Sequence, residues 1–145
     1  MINAEIRAIT IADAAGVSAL SNQLGYDISV DDTRKYIDEI NKSEKDILFC
    51  VVVNDKVAGW IHVFETTRVE SGKFCEIGGL VVDEKTQRAG IGKLLVDAAK
   101  DWTAKRGISK LKVRCNVKRL DAHKFYENMG MKEEKIQKAL SVFVN

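Results

Sequence analysis

Proline is absent from all 145 residues, so glycine, helix-capping residues and changes of hydrophobic period must mark the ends of helices and strands. Long apolar runs are also missing: the longest, Ile47–Val53, is far shorter than the roughly 20 residues that cross a bilayer. The first residues lack the basic segment and apolar segment of a secretion signal. We therefore expect neither a membrane span nor export, and we expect the protein to work in the cytoplasm.

Cysteine is scarce and charge is balanced. The three cysteines, Cys50, Cys75 and Cys115, lie in apolar or alternating segments and show no Cys-x-x-Cys spacing. This pattern predicts buried thiols in a reducing compartment rather than disulfides or a metal site. The 23 basic and 21 acidic residues leave a formal charge of +2, which is too small and too dispersed to indicate a nucleic-acid-binding face.

What is present is the composition of a folded protein. Hydrophobic residues make up 46% of the chain and charged residues 30%, with no repeat or low-complexity tract. Disorder is therefore excluded as a description of the whole chain. At roughly 100 to 200 residues per domain, residues 1–145 predict a single domain.

Hydrophobic periodicity predicts the elements. Alternating or β-branched runs predict strands, and apolar residues at helical intervals that stop near a glycine predict helices. The predicted strands are Glu5–Ala8, Ile47–Val53, Val57–Thr66, Phe74–Val82 and Leu111–Cys115, with one or two more in 131–144. The predicted helices are Thr10–Gly25, Asp31–Lys42, Ile91–Gly107 and Leu120–Asn128. This order predicts an α/β or α+β fold with a mixed sheet.

The segment from Leu80 to Lys93 carries the chemistry, because a strand there leads through a polar loop into a glycine-bearing helix start. The first N–H groups of a helix lack carbonyl partners, and glycines at 90 and 92 would let a phosphate reach them. A P-loop is excluded because it needs glycine at 87 and Ser or Thr at 94, where the chain has Gln87 and Leu94. A Rossmann fingerprint is excluded because its third glycine would fall on Leu95.

The spacing that remains, Gln87-x-x-Gly90-x-Gly92 after a strand, resembles the Gln/Arg-x-x-Gly-x-Gly/Ala signature of the GNAT superfamily of acetyl-CoA-dependent N-acetyltransferases. The resemblance covers most of the chain, including a Tyr126-x-x-x-Gly130 element in the family's order and spacing. It implies a mixed, mostly antiparallel sheet of about six or seven strands with about four helices, splayed between strands four and five. It also implies acetyl transfer to a primary amine, of a small molecule or a protein N-terminus, by direct attack in a ternary complex.

The resemblance assigns acetyl-CoA as cosubstrate and no metal. In the family the pantetheine arm pairs with strand-four backbone, and the diphosphate meets amides at the following helix start. Glycine inside a strand usually marks a bulge, so Gly78 and Gly79 fit a distortion of that strand. The residues expected to bind the cosubstrate are Leu80, Val81, Val82, Gln87, Arg88, Ala89, Gly90, Ile91, Gly92, Lys93 and Asn116.

Amine acetylation needs a proton acceptor, because an alkylammonium with a pKa of about 10.4 is almost wholly protonated at neutral pH. By its position eleven residues before Gln87, Glu76 resembles the family's strand-four general base; the alternative is an ordinary strand-edge carboxylate. Tyr126 resembles the family tyrosine that protonates the leaving sulfur; the alternative is a packing residue. Asn116 is equally well explained as a turn residue.

Other reactive side chains are weaker candidates. His62 and His123 could each act as a base, but a lone histidine is more often structural. Cys75 and Cys115 are expected in the core, because nothing in the sequence supplies a thiolate-stabilising environment and direct transfer needs no acyl-enzyme.

The acceptor itself is not identified by the sequence. Acidic residues in Asn22–Asp27, Asp31–Asp32 and Glu65–Glu70 would suit a cationic amine, although solvated loops also explain them. A noncatalytic acyl-CoA-binding regulatory module of the same fold is the alternative function. A homodimer is compatible with the resemblance, and no feature points to nucleic acid or a membrane as partner.

Overall fold

The computed structural model describes residues 3–85, 90–115 and 117–145. These divide into a first unit, Met1–Arg114, and a second unit, Cys115–Asn145. The strands are β1 (Ala4–Ala8), β2 (Asp46–Val53), β3 (Lys56–Arg68), β4 (Gly72–Val82) and β5 (Leu111–Val113). The helices are α1 (Ala14–Gln23), preceded by a 3-10 turn at Ile11–Asp13, α2 (Val30–Asn41), α3 (Ile91–Lys105) and, in the second unit, α4 (Leu120–Asn128).

The five strands form one sheet in the order β1-β2-β3-β4-β5. The first three neighbouring pairs are antiparallel, and β4 and β5 are parallel. A parallel pair needs a crossover connection, which here contains α3. The predicted class, a mixed and mostly antiparallel sheet with four α-helices, is confirmed.

The strand count is lower than the predicted six or seven, because residues 131–145 form no strand. Their apolar alternation indicated strands, but a strand forms only against a partner that takes up its backbone hydrogen bonds. In the second unit the side chains of Leu140, Val142 and Phe143 are instead exposed. Similarly, β5 ends at Val113, so Cys115 lies beyond the strand and is exposed rather than buried as predicted.

A two-residue turn and a bulge set the register of the β2–β3 hairpin. Asn54 and Asp55 have φ values of 51° and 64°, which suit the left-handed positions of such a turn. Val52 pairs with Val57, but the next residue, Val51, pairs with Gly59. The extra residue in β3 shifts the register by one from that point on.

Different helices cover the two faces of the sheet. On one face, which we call the α1 face, Leu48 packs with residues of α1 and α2, and the Trp60 Nε1 group donates to Ser21 Oγ of α1 at 3.1 Å. On the other, the α3 face, a methyl group at Gly59 would lie only 2.8 Å from Cγ2 of Ile91. Side chains alternate between these two faces along each strand.

A partly buried carboxylate, that of Asp13, links the end of β1 to the start of α1. Asp13 accepts a hydrogen bond at 2.8 Å from the Thr10 N–H group, as in a capping box. The Arg7 guanidinium donates to both oxygens of Asp13, each at 2.8 Å. These hydrogen bonds from Arg7 lower the pKa of Asp13.

Candidate active site

Strand β4 contains a β-bulge at its two adjacent glycines. His62 of β3 pairs with Gly79, but Val63 pairs with Ile77, so Gly78 is the extra residue. A bulge bends its strand and redirects the neighbouring side chains. The distortion predicted from the glycine pair is therefore present.

Glu76 lies on the α1 face. Glu76 pairs with Phe64, which shares that face with Trp60 and His62 by alternation along β3. The Glu76 side chain is only 12% exposed, and Nε of Arg114 lies 3.6 Å from its Oε1 atom. The candidate base is thus a shielded carboxylate with a cationic neighbour.

Beside Glu76, the two glycines lie against three rings of β3. A methyl group at Gly78 would lie 3.1 Å from Cε1 of Phe64 and 3.2 Å from Nδ1 of His62. One at Gly79 would lie 3.0 Å from Cη2 of Trp60. Any side chain at either position would therefore press on these rings. We call this surface the glycine floor; its residues are Trp60, His62, Phe64, Glu76, Gly78 and Gly79.

His62 is paired, unlike the lone histidine that the sequence suggested. Its Nε2 atom lies 2.7 Å from Oδ1 of Asp46, the first residue of β2. Ser43 Oγ donates to the other oxygen of Asp46 at 2.6 Å. Sequence reasoning missed Asp46 because it precedes the predicted apolar strand. The one available signal was that Asp46 and His62 stand at similar distances from the hairpin turn.

Beyond Ile77, β4 is paired along one edge, with β3, and its pairing with β5 along the other edge has ended. The parallel ladder joins Cys75–Ile77 to Leu111–Val113, and within the described parts of the chain no β5 residue pairs with residues 78–82. This agrees with the predicted splay between the two strands. The unpaired stretch includes the three residues predicted to face the pantetheine arm, Leu80, Val81 and Val82.

Helix α3 begins at a left-handed glycine. Gly90 has a φ of 81°, and its carbonyl accepts the first helical hydrogen bond, from the Leu94 N–H group at 3.0 Å. The N–H groups of residues 91–93 precede that bond and so have no acceptor within the helix. Gly90 brings no capping side chain, and the first turn contains no acidic residue. This helix start therefore offers amide donors and the positive end of the helix dipole.

The other predicted cosubstrate-binding residues differ in what they can offer. The Lys93 ammonium lies 2.7 Å from Oδ2 of Asp97 and is paired on the helix surface. The Ile91 side chain is fully buried, so only its backbone can face a ligand. Gly92 is buried in the same turn. Four further predictions lie outside the described residues: Gln87, Arg88, Ala89 and Asn116.

Tyr126 lies on α4 in the second unit. Its ring contacts that of Phe125 edge-on, with centroids 5.2 Å apart. Burial raises the pKa of Tyr126 to about 12. The phenol therefore keeps its proton at neutral pH and can act as a hydrogen-bond donor.

One of the acidic residues considered for amine binding, Glu65, is already paired with an arginine of the protein. Glu65 lies inside β3 rather than in a loop after it, and its Oε1 accepts from Nε and Nη2 of Arg106 at 3.1 and 2.9 Å. The hydrogen bonds from Arg106 lower the pKa of Glu65. Asp31 is exposed and pairs with Arg34 at 3.0 Å. Neither arrangement indicates an amine site.

The buried thiols are structural. Cys50 and Cys75 are fully buried, as predicted. Burial raises the pKa of Cys50 to about 11 and also raises that of Cys75. A protonated, buried thiol is a poor nucleophile, so neither residue is a candidate for covalent catalysis.

No three His, Cys, Asp or Glu side chains are grouped as a metal site in residues 3–85, 90–115 and 117–145. Over the same residues, every helix is too short or too polar to cross a bilayer.

Comparison with known proteins identifies the family. Residues 18–131 match the sequence model described as the acetyltransferase (GNAT) family. The chain is 24% identical over 112 residues to the Bacillus subtilis (strain 168) protein named uncharacterized N-acetyltransferase YhdJ, covering 77% of this chain and 79% of that protein. It is 27% identical over 107 residues to uncharacterized N-acetyltransferase MJ1207 of Methanocaldococcus jannaschii, covering 72% of this chain but only 47% of that longer protein.

Solved structures share the fold. Glucosamine-6-phosphate N-acetyltransferase from Arabidopsis thaliana superposes with a TM-score of 0.84 at 23% identity, covering 96% of this chain and 98% of that chain. The aminoglycoside N-acetyltransferase AAC(6')-Iy in complex with CoA superposes with a TM-score of 0.86 at 16% identity, covering 97% and 96%. At such identities the likeness is one of fold.

Proposed function

Because the chain belongs to the acetyltransferase (GNAT) family, we propose that it transfers an acetyl group from acetyl-CoA to a primary amine by direct attack in a ternary complex. The observation that carries the proposal is the sequence of features along β4 and α3 in the first unit. Beyond Ile77, one edge of β4 is not paired with β5 in the described part of the chain. This strand leads to α3, whose first amides have no side-chain cap. An extended arm can pair with such an edge, and phosphate groups bind at such helix starts.

The residues present fit acetyl-CoA as the second substrate. The pantetheine arm would pair with the free edge of Leu80, Val81 and Val82, and the diphosphate would meet amides between Gln87 and Lys93. Two observations support this placement. Among the described residues, the chain neighbours of Gly90 aside, no heavy atom lies within 4 Å of the position a Gly90 side chain would take. The α3 amides also precede the first helical hydrogen bond. We also propose that Asn116 contacts acetyl-CoA.

Glu76 is the proposed proton acceptor and Tyr126 the proposed donor to sulfur. The amine must lose a proton before its lone pair can attack the acetyl carbonyl. Glu76 suits this role because it lies on the glycine floor, beside the part of β4 proposed to hold the thioester. Tyr126 suits the second role because its phenol stays protonated, so it can donate a hydrogen bond to sulfur as the C–S bond breaks.

A small amine is the proposed acceptor. The similar structures with named substrates act on glucosamine 6-phosphate and aminoglycosides, which carry primary amines on compact molecules. The glycine floor offers aromatic rings and one carboxylate, a combination that suits a cationic amine joined to a less polar body. A protein N-terminus is the other acceptor class to test.

The family match also supports the prediction of a single acetyltransferase domain. It runs from residue 18 to residue 131, and therefore from the first unit into the second.

The test is turnover with a panel of amines. The full chain is incubated with acetyl-CoA and glucosamine 6-phosphate, an aminoglycoside, a polyamine or a peptide with a free N-terminus, and CoA release and product mass are followed. For an accepted amine, Glu76→Gln should lower kcat about 10²-fold near pH 7 and recover partly at high pH, where the amine is already neutral. Glu39→Gln, on the exposed side of α2, is the matched control.

Three results would change the proposal. Binding of acetyl-CoA without release of CoA to any amine would favour the noncatalytic regulatory module. Absence of acetyl-CoA binding would exclude both functions. A wild-type rate for Glu76→Gln across the pH range would return Glu76 to the role of a strand-edge carboxylate.

A further inference from the structure

We propose that His62, held by Asp46, is a second proton acceptor for the amine on the glycine floor. The inference rests on the proposed acetyl transfer and adds a catalytic residue to it. An amine that arrives as an ammonium and leaves as an amide loses two protons from nitrogen. One carboxylate holds only one proton at a time, so a second acceptor beside Glu76 has a defined task.

The Asp46 contact determines which nitrogen of His62 is basic. Nε2 of His62 lies 2.7 Å from Oδ1 of Asp46. An ionised carboxylate can only accept hydrogen bonds, so Nε2 is the nitrogen that carries the proton. In the neutral ring the free lone pair is then on Nδ1.

Asp46 is itself fixed in place. Its Oδ2 atom accepts from Ser43 Oγ at 2.6 Å, and Ser43 Oγ accepts from the Lys45 N–H group at 3.2 Å. Both carboxylate oxygens of Asp46 are therefore engaged, one by the helix-to-strand turn and one by His62. A carboxylate held at both oxygens fixes the rotation of the imidazole ring as well as its tautomer.

The free nitrogen faces the glycine floor. The missing side chain of Gly78 would begin 3.2 Å from Nδ1 of His62, so any other residue at 78 would cover that atom. The His62 and Asp46 side chains are 21% and 22% exposed, which leaves the ring accessible to a small molecule. Nδ1 thus lies beside the bulge and on the same face as Glu76, where the acceptor amine is proposed to bind.

The protons balance as follows. Glu76 takes one proton from the ammonium, and the freed lone pair forms the C–N bond at the acetyl carbon. Nδ1 of His62 takes the second nitrogen proton, the C–S bond breaks, and sulfur leaves with the bonding pair and takes a proton from Tyr126. Solvent accepts the protons of His62 and Glu76 and returns one to Tyr126. One proton is therefore released for each amide formed. A neutral imidazole suits this second step because it offers a lone pair on Nδ1.

The first test needs no amine and so does not depend on finding the acceptor. The imidazole ¹⁵N resonances of the ¹⁵N-labelled full chain are recorded at about pH 9, above the usual imidazole pKa of about 6.5. The His62 resonances are assigned as those lost in His62→Gln. We expect His62 to be the Nε2–H tautomer in the wild type and a mixture of tautomers in Asp46→Asn. An Nδ1–H tautomer in the wild type would overturn the proposal.

The second test is kinetic and uses an amine that the wild type accepts. His62→Gln should lower kcat by about 10²-fold, and Asp46→Asn by about 10-fold, with acetyl-CoA affinity unchanged. Added imidazole should restore part of the activity of His62→Ala but none of that of Glu76→Gln. Melting curves establish that each variant is folded.

The outcomes separate this proposal from the proposed function. If the wild type acetylates no amine, the proposed function fails, whereas the tautomer result still decides how His62 is held. If the wild type turns over and folded His62→Gln does so equally well, His62 is not an acceptor. If imidazole does not restore the activity lost in His62→Ala, and Asp46→Asn reacts at the wild-type rate, the His62–Asp46 pair serves only to hold β2 and β3 together.

Discussion

At the scale of single residues, Gly90 combines a backbone requirement with an electrostatic one. Its φ of 81° is costly for most side chains, but Asn and Asp tolerate this region best. It also stands at the positive end of α3, where a negative side chain would compete with a bound phosphate. Replacing Gly90 by Asn or by Asp therefore separates backbone strain from charge, because the two side chains have the same shape.

We expect Gly90→Asp to weaken acetyl-CoA binding about tenfold more than Gly90→Asn, since a like charge a few ångströms from a diphosphate costs on the order of 1 kcal/mol or more. The difference should shrink as salt rises, because salt screens the repulsion. Calorimetry at low and high salt measures both effects. Gly107→Asp, at a φ of 75° at the far end of α3, should leave the affinity unchanged. Equal affinities for the Asp and Asn variants would argue against a diphosphate at this helix start.

The proposed role of Tyr126 depends on its protonation. Because its folded pKa of about 12 exceeds the usual value of about 10, the native protein holds this proton after the unfolded chain has lost it. Stability from this group is therefore complete below about pH 10 and falls as pH rises towards about 12. Tyr126→Phe should reduce that alkaline loss of stability, which urea unfolding between about pH 8 and 11 would measure.

The same variant, Tyr126→Phe, should lower kcat with little change in acetyl-CoA affinity. Full activity of Tyr126→Phe would show that Tyr126 serves in packing rather than in proton transfer.

At the scale of elements, the ion pair between Arg7 of β1 and Asp13 positions α1, the helix that covers the α1 face. The side chain of Asp13 is only 10% exposed and accepts two bonds from Arg7. The Asp31–Arg34 pair on α2 is chemically similar, but Asp31 is 93% exposed. Buried, two-point pairs of this kind contribute to stability, whereas exposed pairs contribute little.

Asp13→Asn should therefore destabilise the protein by about 1 to 2 kcal/mol, and the control Asp31→Asn by less than about 0.5 kcal/mol. Urea unfolding with an unchanged m-value measures both. Because the folded pKa of Asp13 is lowered, its contribution is complete above the unfolded value of about 3.9 and is lost as pH falls through the folded value. The difference between wild type and Asp13→Asn should thus narrow in acid. Equal effects of the two substitutions at neutral pH would contradict this account.

At the scale of the whole molecule, ligand binding should appear as stability. A ligand that binds only the native state at 100 times its Kd raises the free energy of unfolding by about 2.7 kcal/mol. The proposed site joins the free edge of β4 to the start of α3, and α3 packs on the sheet through Ile91 and Gly59. Acetyl-CoA should therefore stabilise the first unit.

We expect saturating acetyl-CoA to raise Tm by about 5 to 10 °C. Acetyl-pantetheine, which lacks the diphosphate, should give a clearly smaller rise at the same concentration because it cannot use the α3 amides. Calorimetric melting with each ligand makes the comparison. An equal rise with both would place the binding energy on the strand edge alone.

Local sequence signals predicted the positions of most helices and strands. Period, capping residues and glycines placed the five observed strands and all four helices within a few residues, since these signals act within a few residues along the chain. Residues 131–145 show the limit of this reasoning. Their alternation indicated strands, yet whether a strand forms depends on an available partner edge, which no local pattern contains.

Which polar side chains meet on the glycine floor depends on contacts between strands that are distant in sequence. Asp46 and His62 share the α1 face because the bulge near Gly59 shifts the β2–β3 register by one residue, and Glu76 joins that face through its pairing with Phe64. Without that bulge, Asp46 would point to the face opposite His62. A strand repeats every two residues, so one extra residue turns every later side chain to the other face. Whether a bulge forms depends on packing between strands and helices that are distant in sequence, and the site therefore became visible only in the folded sheet.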